Sequence, residues 1–214
     1  HNKMTGGHFG IVLEGSSDSN LFMDNDIHSH NKNEIQGAGN KNIWQNNSVT
    51  GDITGNGFVF SGCSKWVFQN NYIANNSRLG VQMRNCENIT FINNRFINNG
   101  LFISGDILSQ LSSHIISDNT LNGKPICYYA NEENITVPYN AGQIMLANCS
   151  YCTIQAVQPP GADVGICLWY SSYNSITSSR INSTRFQEGI QLIESHNNVI
   201  SDNFVSGPFL GINF

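Results

Sequence analysis

The residues that could carry chemistry in this sequence are few and scattered. Charged residues make up only 12% of the 214, and the net charge is −5. Asp106 is the acid of most interest, because a glycine precedes it in a pattern that elsewhere introduces inward-pointing apolar residues. An ionised carboxylate at such a position would need partners, since burial disfavours charge. Asp106 is therefore a weak catalytic candidate, and the alternative that we favour is a shift of the pattern around residues 98–105.

Two histidines have the spacing of a metal site. His28 and His30 lie at i and i+2, next to Asp24 and Asp26. On a strand these side chains share a face, so two imidazoles could converge on copper or zinc. A solvated turn explains the same spacing. We therefore predict no cofactor and no metal site, and retain His28 and His30 only as weak metal candidates.

The six cysteines give no single answer. Cys63 and Cys86 occupy equivalent places 23 residues apart. Stacking would bring their Cα atoms within disulfide range, whereas parallel Cβ vectors favour a ladder of thiols, and both alternatives stay open. Cys149 and Cys152 form a CxxC motif without the βαβ context of a redox site.

A repeat of 22 to 25 residues organises the chain. The segment 63–99 states the same pattern twice, and a period in this range is typical of solenoids and propellers. Each copy contains a pair of small polar residues: Asp24-Asn25, Asn46-Asn47, Asn70-Asn71, Asn93-Asn94, Asp118-Asn119, Ser178-Ser179 and Asp202-Asn203. Apolar residues lie two positions before and two positions after each pair.

Short segments within each repeat alternate between apolar and polar residues, which indicates β-strands and not helices. Three such strands per repeat predict an all-β fold, a single-stranded parallel β-helix of about nine rungs. We expect one domain over residues 1–214, cut within a rung at both ends, with an insertion around 128–142. Stacking would align Phe22, Trp44, Phe68 and Phe91 inside the coil. The amide pairs would form the corners, because Asn tolerates the left-handed conformation and can form ladders.

The centres of the glycine-led triplets predict an outward column on one sheet. It contains no carboxylate pair, which disfavours a pectinase-like enzyme; whether the chain is an enzyme stays uncertain, leaning towards no. Its apolar members predict an interface, because exposed apolar patches mark interaction surfaces: Val12, Val59, Ile107, Met145 and Cys167. Six sequons are candidate glycosylation sites: Asn46, Asn75, Asn88, Asn134, Asn148 and Asn182.

The segments 122–129 (NGKPICYY), 137–138 (VP), 141–154 (AGQIMLANCSYCTI) and 164–179 (VGICLWYSSYNSITSS) resemble NosD-type parallel β-helix repeat proteins. Such proteins occur in periplasmic copper maturation and on archaeal cell surfaces. The resemblance implies a right-handed β-helix and an extracellular or cell-surface location, with the periplasm as the alternative. It implies no particular reaction, because this fold hosts many functions.

Three functions follow as hypotheses. The first is a non-catalytic structural or adhesive module of a cell-surface layer, sheath or filament, whose partners are other copies of itself or neighbouring repeats. The second is a carbohydrate-binding or carbohydrate-cleaving β-helix, in which surface aromatic residues contact a polysaccharide: Tyr128, Tyr129, Tyr139, Trp169, Tyr170 and Tyr173. NosD-like copper maturation is third. The absence of a basic stripe argues against nucleic acid, and no apolar run reaches the length of a membrane span.

Overall fold

A computed structural model of the chain is a right-handed β-solenoid of about nine turns. The structure describes residues 1–51, 55–161, 163–182, 188–207 and 210–214. Within these residues the regular structure is almost entirely short parallel strands, as the repeat predicts. No helix in the described part of the chain is long and apolar enough to cross a membrane.

The strands of the first half are β1 Lys3–Thr5, β2 Phe9–Val12, β3 Leu21–Met23, β4 Asp26–His28, β5 Asn33–Gly37, β6 Ile43–Gln45, β7 Ser48–Thr50, β8 Phe58–Ser61, β9 Val67–Gln69, β10 Tyr72–Ala74, β11 Val81–Arg84, β12 Thr90–Ile92, β13 Arg95–Ile97, β14 Leu101–Ser104, β15 Ile115–Ser117 and β16 Thr120–Leu121. One short helix, α1 Ser109–Ser112, precedes β15. The strands of the second half are β17 Lys124–Ala130, β18 Gln143–Ala147, β19 Thr153–Gln155, β20 Ile166–Trp169, β21 Ser175–Thr177, β22 Arg180–Asn182, β23 Glu188–Ile193, β24 Val199–Ser201, β25 Phe204–Ser206 and β26 Leu210–Asn213.

Three parallel sheets enclose the first coil, residues 1–122. We call them sheet I (β1-β4-β7-β10-β13-β16), sheet II (β2-β5-β8-β11-β14) and sheet III (β3-β6-β9-β12-β15). The predicted stack inside the coil is confirmed, because Phe22, Trp44, Phe68 and Phe91 are register partners on successive rungs. The rings of Phe68 and Phe91 lie 4.5 Å apart and 7° from parallel.

The five pairs of the first coil, from Asp24-Asn25 to Asp118-Asn119, form the corners between sheets III and I. The first member of each pair has a positive φ, near 56° at Asn70, and the second is buried. The buried members form a continuous ladder in which each Oδ1 accepts both the backbone N–H and the side-chain N–H of the preceding rung, over Asn25, Asn47, Asn71, Asn94 and Asn119. The corner role predicted for the asparagines is therefore confirmed.

The chain reverses direction at Asn122 and Gly123. Strand β17 pairs antiparallel with β16, and the later strands continue the same sheet in the order β17-β18-β20-β23-β26, so that one 11-stranded sheet, which we call the shared sheet, joins two coils. A right-handed coil can continue past a reversed strand only if its lumen moves to the opposite face of that sheet. The packing agrees, because Ile144 and Leu146 of β18 lie in the core of the second coil while Met145 and Ala147 lie in the core cluster of the first.

Because of this reversal, the prediction that Met145 and Cys167 belong to an outward-facing column is wrong. Met145 is fully buried and Cys167 is 2% exposed, because the face of the shared sheet that points away from the second lumen packs against the first coil. In place of inserted material around 128–142 the structure has a normal pairing with a shorter turn, in which Ile126 is the register partner of Gln143, 17 positions later.

The strand register in sheet II near Asp106 differs from the one in which Ile107 is the outward residue of its rung. Strand β14 places Leu101, Phe102 and Ile103 opposite Val81, Gln82 and Met83, so Phe102 is the outward residue of that rung. Ile107 lies beyond the strand in the segment before α1, 53% exposed, and is not part of the column. The shift around residues 98–105 that we favour from the sequence is therefore confirmed.

Candidate functional site

Two columns of residues with positive φ flank a corner of the second coil, between the shared sheet and β19, β21 and β24. Backbone hydrogen bonds run from Asn131, Asn148, Tyr170, Asn134 and Tyr173 to the residue before the next member of their column, and the bridge between Ser150 and Ser172 continues the second column past Tyr151. The first column is Asn131, Asn148, Tyr170 and Glu194; the second is Asn134, Tyr151, Tyr173 and Asn197. Corners of this kind favour Asn, so the tyrosines depart from the local preference.

The three tyrosines hold a backbone conformation that is unfavourable for a bulky residue. Their φ values are 54° at Tyr151, 51° at Tyr170 and 61° at Tyr173. Such a conformation costs on the order of 1–3 kcal/mol and persists only where the surrounding structure imposes it. Here the parallel hydrogen bonds of neighbouring rungs impose it, which fixes the direction in which each phenol leaves the backbone.

The second column presents two phenol rings to solvent. The rings of Tyr151 and Tyr173 stack with centroids 5.4 Å apart and planes 12° from parallel, yet the residues are 57% and 54% exposed. Tyr170 lies across the corner from them, and the open space between has a volume of about 460 Å³. The corner is therefore a groove with aromatic walls, which we call the tyrosine groove: Asn131, Glu133, Asn148, Cys149, Ser150, Tyr151, Tyr170, Ser172 and Tyr173.

Polar groups line the rest of the tyrosine groove. The amide of Asn148 donates to the Oδ1 of Asn131 at 2.9 Å, which orients both side chains, and the Oγ of Ser172 accepts the N–H of His196 at 3.1 Å. The lining contains one carboxylate, Glu133, and no lysine or arginine. The groove therefore combines apolar ring surface with neutral hydrogen-bonding groups and a single negative charge.

The groove contains no activated nucleophile among its described residues. Cys149 is 1% exposed, and its thiol lies against the carbonyl oxygens of Tyr129 and Ala147. Burial raises the pKa of the Cys149 thiol, which keeps it protonated. Glu133 has no second carboxylate in the lining, whereas glycoside hydrolysis requires two. The described lining therefore lacks the pair of carboxylates that glycoside hydrolysis uses by its usual mechanism.

Asp106 lies in a different surface depression. The residue is exposed, and its Oδ2 accepts the amide of Asn85 at 2.8 Å. The surrounding depression also presents the guanidinium of Arg84, with Ser61 and Ser104 at its sides. Asp106 is the only carboxylate in that lining, so the same objection to acid–base hydrolysis applies.

The two candidate metal ligands are not brought together. His30 is buried and its Nδ1 pairs with the carboxylate of Glu34, whereas His28 is part-exposed, with its Nδ1 against Ser29 and its Nε2 3.9 Å from Asp26. Within the residues that the structure describes, no three His, Cys, Asp or Glu side chains are close enough to hold a metal ion.

The remaining sequence candidates lie on different surfaces. Val12 is 42% exposed at one end of sheet II, and Val59 is half-buried on the same sheet. All six sequon asparagines are exposed, and five of them sit at positive-φ corners; Thr184 of the sequon at Asn182 lies outside the described residues. All six cysteines are free thiols in the structure, and the Sγ of Cys86 accepts the backbone N–H of Cys63.

The predicted surface aromatics divide into two groups. Trp169 is buried, and the hydroxyl of Tyr128 donates to the carbonyl of Leu111 at 2.9 Å, so neither is available to a ligand. Tyr170 and Tyr173 line the tyrosine groove, but Tyr151 was not among the predicted residues. The sequence did contain a signal for it, because Ser150-Tyr151 and Ser172-Tyr173 are the same dipeptide one period apart.

The fold defines a parallel β-helix protein, with an aromatic-walled groove at one corner of its second coil. A family model described as "Right handed beta helix region" matches residues 1–142, and the chain belongs to this family. A second model, described as "Periplasmic copper-binding protein (NosD)", matches residues 116–212, so the second coil is similar to that family. Comparison with curated proteins and with solved structures gave no match.

The thiols of this chain bear on whether it could hold copper. Cu(I) prefers thiolate and thioether ligands. Burial raises the pKa of the thiols of Cys127, Cys149 and Cys167, which disfavours their thiolate forms. Among the described residues no three His, Cys, Asp or Glu side chains are close enough to form a copper site from those ligands.

Proposed function

We propose that the chain is a non-catalytic, adhesive β-helix module of a cell-surface or periplasmic protein, and that it binds neutral glycans in the tyrosine groove. The observation that carries the proposal is the stacked, exposed pair Tyr151 and Tyr173, held in a conformation that tyrosine does not favour. The likeness of the second coil to a periplasmic family supports a location outside the cytoplasm.

The chemistry of the groove favours a sugar over other ligands. Aromatic rings provide flat apolar surface for the C–H faces of a pyranose, and ligand sites combine such surface with a few placed polar groups. Asn131, Asn148, Ser150 and Ser172 supply amides and hydroxyls that match sugar hydroxyls. Since Glu133 is the only charge in the lining, uronates and sulfated sugars would meet repulsion without a compensating cation.

The column itself provides matched variants for the test. Tyr151→Asn and Tyr173→Asn remove a ring but keep a residue that the same column carries at Asn134 and Asn197, so the corner conformation is retained. Tyr139→Ala removes an exposed ring, 77% accessible, from outside the groove lining. Binding to immobilised neutral polysaccharides and to uronate polymers would be measured for each variant by calorimetry or on arrays.

We expect each groove variant to lose about fivefold in affinity for the neutral polysaccharide that binds best, because one ring contact contributes on the order of 1 kcal/mol. Tyr139→Ala should bind as the parent does, and Glu133→Gln should improve binding of uronates. Binding that is unchanged in both groove variants, or a preference for uronates in the parent, would contradict the proposal. Release of reducing ends that Glu133→Gln abolishes would replace a binding function with a catalytic one.

A second candidate function is lateral self-association through the outer face of sheet III. Because strands alternate, the neighbours of the inward aromatics point outward, and none of them is charged: Leu21, Met23, Ile43, Gln45, Val67, Gln69, Thr90, Ile92, Ile115 and Ser117. Leu21 and Ile115 are 57% and 58% exposed. Exposed apolar surface of this kind marks interfaces, which supports packing against a second copy.

Sedimentation over a range of concentrations tests this second function. We expect a concentration-dependent dimer that Ile43→Glu abolishes, because a charge would be desolvated in the interface. Thr50→Glu, on the outer face of sheet I, should leave it intact. A parent chain that stays monomeric at high concentration would remove the second candidate and leave the first untouched.

A further inference from the structure

Asp163 connects the two coils through a buried carboxylate. The residue precedes β20 in the second coil and is fully buried. Its Oδ2 accepts the backbone N–H of Gly80 and the backbone N–H of Gly100, both at 3.0 Å, and both glycines belong to the first coil. A single side chain thus joins segments that are 83 and 63 residues away along the sequence.

These two glycines immediately precede the last two strands of sheet II. Gly80 lies before β11 and Gly100 before β14, and β14 is the edge strand of that sheet. Gln143 completes the closure, because its Oε1 accepts the N–H of Leu101 at 3.0 Å and its Nε2 donates to the Leu101 carbonyl at 2.7 Å. Asp163 and Gln143 therefore cover an edge that would otherwise present unpaired backbone groups.

Only one of the two oxygens of the Asp163 carboxylate has hydrogen-bond partners. Its Oδ1 makes no hydrogen bond within the described structure. The groups that face it are the Gly80 and Gly100 amides and the Asn99 side chain from the first coil, with Gln143 of β18 bonded to the adjoining Val164 carbonyl. None of these groups is ionisable, so among the described residues no positive charge faces the carboxylate at this position.

We propose that Asp163 is a proton-sensitive clasp, which closes the edge of sheet II against the second coil when it is neutral and weakens when it ionises. The neutral acid keeps Oδ2 as the acceptor for both glycine amides and removes the uncompensated charge. The ionised form retains those two bonds but leaves Oδ1 desolvated without a partner, which is costly.

Because Asp163 is buried, it loses its proton at a pH in the physiological range. Desolvation raises the pKa of Asp163 from 3.8 to about 7, although the glycine amides and Asn99 act in the opposite direction. In the opened state the carboxyl regains its ordinary pKa. By linkage, the population of the opened clasp should therefore rise about tenfold between pH 6 and pH 8.

The glycine amides provide a direct readout. In ¹H–¹⁵N spectra of the full chain, the Gly80 and Gly100 amide shifts should titrate together with a midpoint near pH 7, and their hydrogen exchange, corrected for the intrinsic pH dependence, should accelerate about tenfold from pH 6 to 8. Asp163→Asn should abolish both changes while keeping the amides protected. Asp163→Ala should leave them unprotected at every pH.

Asp106→Asn is the matched control, because it removes an exposed carboxylate and should leave the titration intact. The clasp is disproved if Gly80 and Gly100 do not titrate between pH 5 and 9, or if their titration persists in Asp163→Asn. If Asp163→Asn fails to fold, the absence of a Gly80 and Gly100 titration in the parent chain would still overturn the proposal.

Discussion

Replacing Asn71 with alanine tests the physical basis of the coil most directly. The Oδ1 of Asn71 accepts the backbone N–H of Asn47 at 2.9 Å and its side-chain N–H at 3.0 Å. The Nδ2 of Asn71 donates to the carbonyl of Trp44 and to the Oδ1 of Asn94, both at 2.9 Å. Alanine would remove all four hydrogen bonds from a position that is 1% exposed.

The expected loss of stability follows from what remains unsatisfied. The Asn47 side chain keeps an acceptor in the Phe22 carbonyl, and the Oδ1 of Asn94 keeps the backbone N–H of residue 71. The backbone N–H of Asn47 and the carbonyl of Trp44 lose these partners while buried. With about 1 kcal/mol per lost bond and 1–3 kcal/mol for a buried group left unpaired, Asn71→Ala should destabilise the fold by about 3–5 kcal/mol.

Urea unfolding followed by the fluorescence of the three tryptophans gives the measurement. Asn71→Ser should lose roughly half as much, because Ser179 performs the same corner role in the second coil, where its Oγ accepts the N–H of Val157. Asn70→Gly is the matched control, since glycine adopts the positive φ of that exposed corner at no steric cost. Equal effects of Asn71→Ala and Asn70→Gly would refute a stabilising ladder.

Two further measurements examine the core and the clasp. Phe91→Ala should destabilise the chain by about 3–5 kcal/mol, because the ring is fully buried and stacked on Phe68. Phe204 is 51% exposed, so Phe204→Ala should change stability by less than about 1 kcal/mol. Equal losses of stability in the two variants would contradict a packed lumen. Because the folded pKa of Asp163 is raised, its contribution to stability is complete below about pH 4 and is lost as the pH rises through 7, by on the order of 4 kcal/mol relative to Asp163→Asn. If the free energy of unfolding depends on pH in the same way in the parent and in Asp163→Asn, the Asp163 carboxyl does not titrate in this way.

The sequence predicted the coil well because its rules are local. A positive-φ corner favours Asn or Asp at one position, and a buried ladder favours an amide at the next. The residue types at Asn70 and Asn71 therefore predict the corner and the ladder. The same local logic failed for Asp106, because Gly105 imitates the glycine that introduces a triplet. The triplet of that rung begins after Gly100, where Leu101, Phe102 and Ile103 continue the register of β11.

The tyrosine groove was only partly predictable. Tyr170 and Tyr173 were predicted as surface aromatic residues that contact a polysaccharide, but the repeat period alone does not say which residues of two neighbouring columns face the same space. That depends on the turn between β18 and β19, whose positive-φ residues set both columns. Asp163 could not be predicted at all, since its partners lie in the other coil and nothing in its local sequence refers to them.

The reversal between the coils explains why the buried column through Met145 and Cys167 and the contacts of Asp163 were not predicted. A single turn causes this reversal. Asn122 and Gly123 both have positive φ, 50° and 79°, and they join Leu121 to Lys124 as a two-residue hairpin. Positive φ at both central residues is the type I′ geometry for which Asn-Gly is the preferred pair. The repeat continues through this hairpin because each rung depends only on its neighbours.

What the hairpin changes is the environment of the strands that follow. Strands β8 and β11 alternate between buried and exposed residues, whereas β18 is buried at every position, as expected for a sheet with cores on both faces. The unbroken apolar run of β18 was therefore the sequence signal that the column through Met145 and Cys167 does not face solvent. Since the second face of the shared sheet is covered by the first coil, a binding site on the second coil has to lie on its other sheets or at its corners, where Tyr151 and Tyr173 lie.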